Sequence, residues 1–241
     1  MDGLHKDNLI HKEIPVMMYH RVVKKTQKRS RFHVFTTQDV LEGQIKSFLA
    51  EGYKLVTFKD LQNKYVDKPM ILTFDDGYLD NYENLFPLLK KYGIKAVIFV
   101  LADSQYNHWD TSKGEVKAEL MNHQQILELS KSGLVEIASH GLKHRRLPLL
   151  NDAELRAEIT QSKKIIEEII QDKVISFAYP WGLHGNREKF AVKNAGYKFG
   201  VATDGGSNFF KDDLFGIRRI NMNKASLWQR IARRFHWILT S

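Results

Sequence analysis

What most constrains this chain is that short, wholly apolar runs alternate with longer segments of helical period from end to end. The runs fall at 14–19 (IPVMMY), 54–58, 69–74 (PMILTF), 95–101 (KAVIFVL), 134–139, 174–179, 199–203 and 216–220. Their apolar residues are consecutive rather than alternating, as parallel strands covered on both faces require. Helices are expected over 37–51, 81–92, 122–132, 151–171, 186–195 and 224–239. Several carry end signals: Thr37 opens the first, Gly93 and Gly133 close the second and third, and Asn151 with Glu154 forms a capping box for the fourth. Such alternation without a linker or repeat reads as one α/β domain, either a (β/α) barrel or a doubly wound sheet. In either, chemistry collects at the C-terminal ends of the strands. The domain is placed at 14–222, between an N-terminal extension (1–13) and a C-terminal segment (223–241).

Composition limits which chemistry can sit there. The 241 residues include no cysteine, so disulfides, thiolate nucleophiles and cysteine-based zinc sites are excluded. Any metal must be held by His, Asp or Glu. Lys and Arg outnumber Asp and Glu by 37 to 28, which suits an anionic partner or simply a basic surface. The basic clusters KKTQKRSR (24–31) and RIARRFHW (230–237) match no nucleic-acid-binding motif, and no nucleic-acid partner is expected. No export signal or membrane span is evident in the sequence. The expected location is cytoplasmic, peripheral to the inner membrane, or extracellular or in the cell envelope if a leader has been removed.

Four strand ends carry unusual residues. TFDDG (73–77) sets Asp75 and Asp76 side by side directly after an apolar run. Repulsion and desolvation both oppose that arrangement unless a positive charge stands close by. As a bare Asp-Gly pair it also reads as an ordinary turn. SHGLKH (139–144) places His140 and His144 four apart, on one face if the chain makes a helical turn there. Two imidazoles and one carboxylate make a three-ligand metal site with positions left for water and substrate. The second carboxylate is then free to take a proton from that water. FAYPWG (177–182) offers an aromatic wall, with Tyr179, Pro180 and Trp181 toward a sugar ring, or else a buried aromatic turn. His20 ends the first run and has the titration range of a general acid.

Taken in order, TFDDG, SHxxxH and YPWG resemble the polysaccharide deacetylase family with the NodB homology domain, carbohydrate esterase family 4. The opening PVMMYHRV and the lack of a late His motif make the chain most similar to the poly-N-acetylglucosamine deacetylase branch. The resemblance runs from about Pro15 to Ile220. It implies a distorted (β/α) barrel of about seven strands and a metal-dependent hydrolase that releases acetate from N-acetylhexosamine units. It also implies roles: Asp75 as general base, Asp76, His140 and His144 as metal ligands, the Trp181 backbone N–H as oxyanion donor, and His20 as general acid. One divalent ion is implied, zinc first, with cobalt or nickel as alternatives. Two departures stand out. The arginine that many members carry before the third-motif proline is missing at 177–179, and GIRRINM (216–222) lacks the late histidine.

The expected partner is an N-acetylated glycan or glycolipid, first a poly-N-acetylglucosamine-like polymer. The alternative is a lipid-linked or lipopolysaccharide-core amino sugar at a cytoplasmic membrane face. That alternative draws on residues 224–241, where Leu227, Ile231, Phe235 and Ile238 share a helical face apart from Arg230, Arg233 and Arg234. Such a helix can lie peripherally on an anionic membrane or dock on its own domain. A non-catalytic glycan-binding module is the rival of another class, and it would have little use for base and metal ligands together.

Overall fold

The computed structural model describes residues 5, 13–24, 31–32, 34–204 and 213–222. Nearly all of the 1–13 extension and the whole helix expected at 224–239 lie outside these.

The main sheet is parallel throughout. Strands β1 (Val16–Tyr19), β5 (Pro69–Phe74), β6 (Ala96–Val100), β7 (Val135–Ser139), β8 (Ser176–Ala178) and β9 (Phe199–Val201) follow one another in space, with β4 (Lys54–Val56) paired to the start of β5. The segment 217–222 joins the two edges. Ile217 bridges Val201 of β9, while β10 (Ile220–Asn221) pairs with Met17 and Met18 of β1. The sheet thus curls into a distorted barrel of one domain, with seven strand positions around the ring. A separate parallel pair, β2 (Arg21–Val23) with β3 (Phe35–Thr37), flanks it; the sequence pattern did not suggest this pair.

Helices cover the outside: α1 (Gln38–Ala50), α3 (Phe86–Tyr92), α5 (His123–Lys131), α6 (Asp152–Ile170) and α7 (Asn186–Asn194). The expected end signals are present. Thr37 accepts from the Val40 N–H, Asn151 and Glu154 cap α6 reciprocally, and Gly93 closes α3 at φ +60°. The first turn of the helix expected at 81–92 is instead a π-helical turn, Asn81–Leu85. Two short helices, α2 (Phe58–Asn63) and α4 (His108–Thr111), complete the set.

The period of two along each strand divides the core. Met17, Leu72, Ile98 and Ile137 face the helices. Val16, Ile71, Val97, Ala138, Val201 and Ile217 face inward, and Phe58 and Leu61 of α2 pack with them. Phe58 stacks on Phe199, the first residue of β9, at 5.0 Å. Truncating such a buried phenylalanine costs about 3–5 kcal/mol. α2 thus covers the N-terminal mouth, and the C-terminal ends of the strands carry polar residues of the interior.

Candidate active site

The same alternation that sends Ile71 and Thr73 inward carries Asp75 into the upper barrel, one residue beyond β5, where its N–H donates to the Tyr19 carbonyl. Arg219 reaches it from the closing segment, one strand away across β1 and two residues after inward-facing Ile217. Its guanidinium is bidentate on Asp75, with Nη1–Oδ1 2.6 Å and Nη2–Oδ2 2.7 Å. Further bonds run from Nε to the Ala202 carbonyl and from Nη1 to the Thr73 hydroxyl. Both partners are sealed, at 0% and 2% exposure. Burial alone would raise the Asp75 carboxyl; the charge and hydrogen bonds of Arg219 outweigh it and hold the group below its ordinary range. This arginine supplies the positive charge that the paired aspartates require, and it was not found from the sequence. The signal was present in GIRRI: a strand that puts Arg218 outside must put Arg219 inside.

Asp76 turns the other way. Its φ of +72° and that of Gly77 swing the chain out of the strand. A Cβ on Gly77 would stand 3.0 Å from the Val100 side chain, so the turn has room only for glycine. Asp76 Oδ1 lies 3.3 Å from His140 Nε2 and 3.4 Å from His144 Nε2, and all three residues are buried. Oδ1 has no hydrogen-bond partner, although it is shielded from water. A buried carboxylate oxygen without a hydrogen bond, facing two imidazole nitrogens, is what a metal ion would satisfy, and the donor set suits a divalent cation. The residues present therefore fit the group.

The two histidines do not share a helical turn, as their spacing suggested. Residues 140–146 form an open bend in which Gly141 (φ +88°) and His144 (φ +56°) take left-handed conformations. Glu158 of α6 organises it by accepting from the N–H groups of Leu142 (3.0 Å) and Lys143 (2.7 Å). His140 Nδ1 donates to the Ala178 carbonyl at 2.9 Å, which aims Nε2 at Asp76. Burial lowers His144 to about 3, against the pull of Asp76, so its ring is neutral and ready to coordinate. Burial would also lower His140, but its contact with Asp76 and the charges of both aspartates raise it; a proton there competes with a metal. Asp76 is held below its ordinary range by the contact with His140 and the charges of both histidines, despite burial.

The third motif supplies the wall. Tyr179 is fully buried with its hydroxyl on the Phe215 carbonyl, and Pro180 is buried beside it, so Trp181 is the member that reaches the cleft. Trp181 sits at φ +64° in the 3₁₀ turn Pro180–Gly182. Its indole donates to the His144 carbonyl and packs edge-on against the His144 ring at 5.0 Å. Trp109 of α4 stacks flat on the same ring at 4.3 Å. Among described residues outside glycine, five have positive φ, and Asp76, His144 and Trp181 are three of them; backbone strain gathers where function does. His20 follows β1 at this edge and is half-buried.

Sequence reading also missed the segment 103–122, which brings Trp109 and Asp110 over the site. Asp110 is raised to about 6 by burial and by the nearby charge of Asp76. Nothing in its local pattern marked it, because its structure comes from bridges such as Tyr78–Leu120 rather than from periodicity.

Fold and site together define an α/β barrel with a His₂Asp cluster that fits a metal ion beside a buried, arginine-held aspartate. The profile of the polysaccharide deacetylases matches residues 62–200, more than half of the sequence, and the chain belongs to that family of enzymes. YxkH of Bacillus subtilis, itself a candidate polysaccharide deacetylase, is 27% identical over 218 residues, covering 88% of this chain and 72% of its own. The poly-β-1,6-N-acetyl-D-glucosamine N-deacetylase of Staphylococcus aureus is 24% identical over 213 residues, 77% of this chain and 70% of that one. Among solved structures, the polysaccharide deacetylase BC0361 of Bacillus cereus superposes with a TM-score of 0.74 at 26% identity. That match covers 88% of this chain but only 65% of the Bacillus cereus chain, so the chain spans less than two thirds of that protein.

Proposed function

We propose that this protein hydrolyses the N-acetyl group of N-acetylhexosamine units in a glycan, releasing acetate, with a poly-N-acetylglucosamine-like polymer as the first substrate. The observation that carries the reading is the pairing of two carboxylates with opposite fates: Asp76 points a partnerless oxygen at two imidazole nitrogens, and Asp75 is held ionised by Arg219 beside it. Asp76, His140 and His144 would hold one divalent ion, which when bound supplies Lewis acidity toward water and the acyl oxygen. Asp75 takes the proton of the attacking water. The backbone N–H of Trp181, fixed by the strained turn, donates to the acyl oxygen as negative charge grows on it. His20 protonates the departing amine. Trp181 borders the sugar, while Tyr179 and Pro180 back it as wall.

The glycan class is supported by the Staphylococcus aureus relative, whose name states its substrate. The experiment measures acetate released from β-1,6-linked N-acetylglucosamine oligomers and, in parallel, from N-acetylhexosamine-bearing lipopolysaccharide precursors. Metal-stripped and Asp75→Asn proteins serve as controls. Asp75→Asn should keep its metal and lose most activity; wild-type rates in that variant would refute the base assignment.

A further inference from the structure

Four cations surround the turn that holds His144. Two are neutralised by acids: Lys143 pairs with Asp103 at 3.1 Å, and Arg145 with Glu154 at 2.9 Å. The other two converge on the indole of Trp181. Lys113 Nζ lies 3.7 Å from its ring centroid and the Arg146 guanidinium carbon 4.7 Å. Lys113 comes from the segment over the site and Arg146 from the loop after His144, so separate parts of the chain bring them together. The nearest acid to Lys113 is Asp110 at 3.9 Å, beyond hydrogen-bonding reach, and no carboxylate among the described residues pairs with Arg146. Both side chains reach solvent, so their N–H groups remain available at the rim of the cleft, one indole's width from His144.

Two cations held together without close acidic partners repel each other, and an aromatic face offsets only part of that. Both charges lie against one indole, so an anion at its edge would lower the repulsion and accept from both. We infer that Lys113 and Arg146 form a clamp for an anionic substituent, a phosphate or a carboxylate, on or next to the N-acetylhexosamine that enters the cleft. The inference rests on the proposed function for its sugar and adds the charge that the sugar carries. It also gives a use to part of the chain's excess of basic residues.

The test is binding, so it does not require turnover. The full chain, freed of metal with chelator so that no ion can capture the anion, is titrated with N-acetylglucosamine, N-acetylglucosamine 6-phosphate and N-acetylmuramic acid, followed by calorimetry and tryptophan fluorescence. The anionic sugars should bind about tenfold tighter than the neutral one, the worth of one charge-assisted hydrogen bond. Salt at about 0.5 M should erode that preference, and Lys113→Gln/Arg146→Gln should abolish it. Preference for one anion alone identifies the source as phosphate or carboxylate. Equal affinity for all three sugars overturns the clamp, as does an anion preference that survives in the double variant. Acetate release, measured separately, reports on the reaction: an anion preference without acetate from any substrate would refute deacetylation and leave the clamp standing.

Discussion

Replacing Arg219 with methionine isolates the energetics of the buried pair. The substitution keeps an unbranched apolar stem, deletes the guanidinium and removes three anchors at once: the bidentate contact with Asp75, the bond to Ala202 and that to Thr73. Breaking a buried ion pair by removing one partner costs about 3–5 kcal/mol, because the other charge is stranded. For a protein of this size that lowers the melting temperature by about 10 °C. The pH dependence follows from the sign of the shift. In the wild type Asp75 lies below its ordinary value of 3.8, so its contribution to stability is present above that value and fades as pH falls through the lower folded value. Without Arg219, burial becomes the dominant influence on Asp75, opposed only by the imidazoles of His140 and His20, and the folded value moves above 3.8. The variant then loses stability as pH rises from 3.8 toward that new value, so the gap to wild type widens from acid to neutral. Urea unfolding of chelator-treated protein at pH 3.5, 5 and 7 measures it, and Asp75→Leu/Arg219→Met should recover most of the loss because both charges are gone. A gap that stays constant with pH, or a double variant no more stable than Arg219→Met, would show that Arg219 does not govern the charge of Asp75.

Other perturbations probe the rest of the site. His140→Ala and His144→Ala should each weaken zinc binding by at least about tenfold in calorimetry, since each removes one of the three proposed ligands; undiminished affinity would move the centre elsewhere. Glu158→Ala strips the Leu142 and Lys143 N–H groups of their acceptor, and zinc affinity should drop about 10–100-fold although Glu158 is no ligand. Gly182→Ala places a Cβ 1.9 Å from the Thr203 hydroxyl at φ +70°. It should cost more than about 2 kcal/mol in denaturant unfolding, and Thr203→Gly should relieve the clash while leaving the backbone part.

Much of this was legible before any coordinates. The runs at 69–74 and 134–139 read as strands because a buried parallel strand has no polar face to disguise it. Asp75, Asp76, His140 and His144 stood out because such residues are rare directly after such runs. What escaped detection depends on pairings between parts of the chain far apart in sequence. Arg219 acts on Asp75 only because 217–222 closes the barrel, and no local pattern encodes which strand meets which. Glu158 looked like any acidic residue on an amphipathic helix, yet it is 3% exposed and caps the His loop. The short pair β2 and β3 lacked the length that makes periodicity visible, and the bend at 140–146 owes its shape to Glu158 rather than to helical preference.

Asp75 and Arg219 are 144 residues apart, and that separation orders events during synthesis. At about 5–20 residues per second, the aspartate leaves the ribosome many seconds before the arginine. Until then the barrel lacks both its last staves and the counter-charge in its interior, and a carboxylate placed there would take up a proton or stay in water. The closing segment therefore acts as a completion check. A nascent or truncated chain ending before residue 219 lacks the guanidinium that keeps Asp75 ionised inside the barrel. Asp75 gains its counter-charge with the last described strand, after the rest of the sheet has been synthesised.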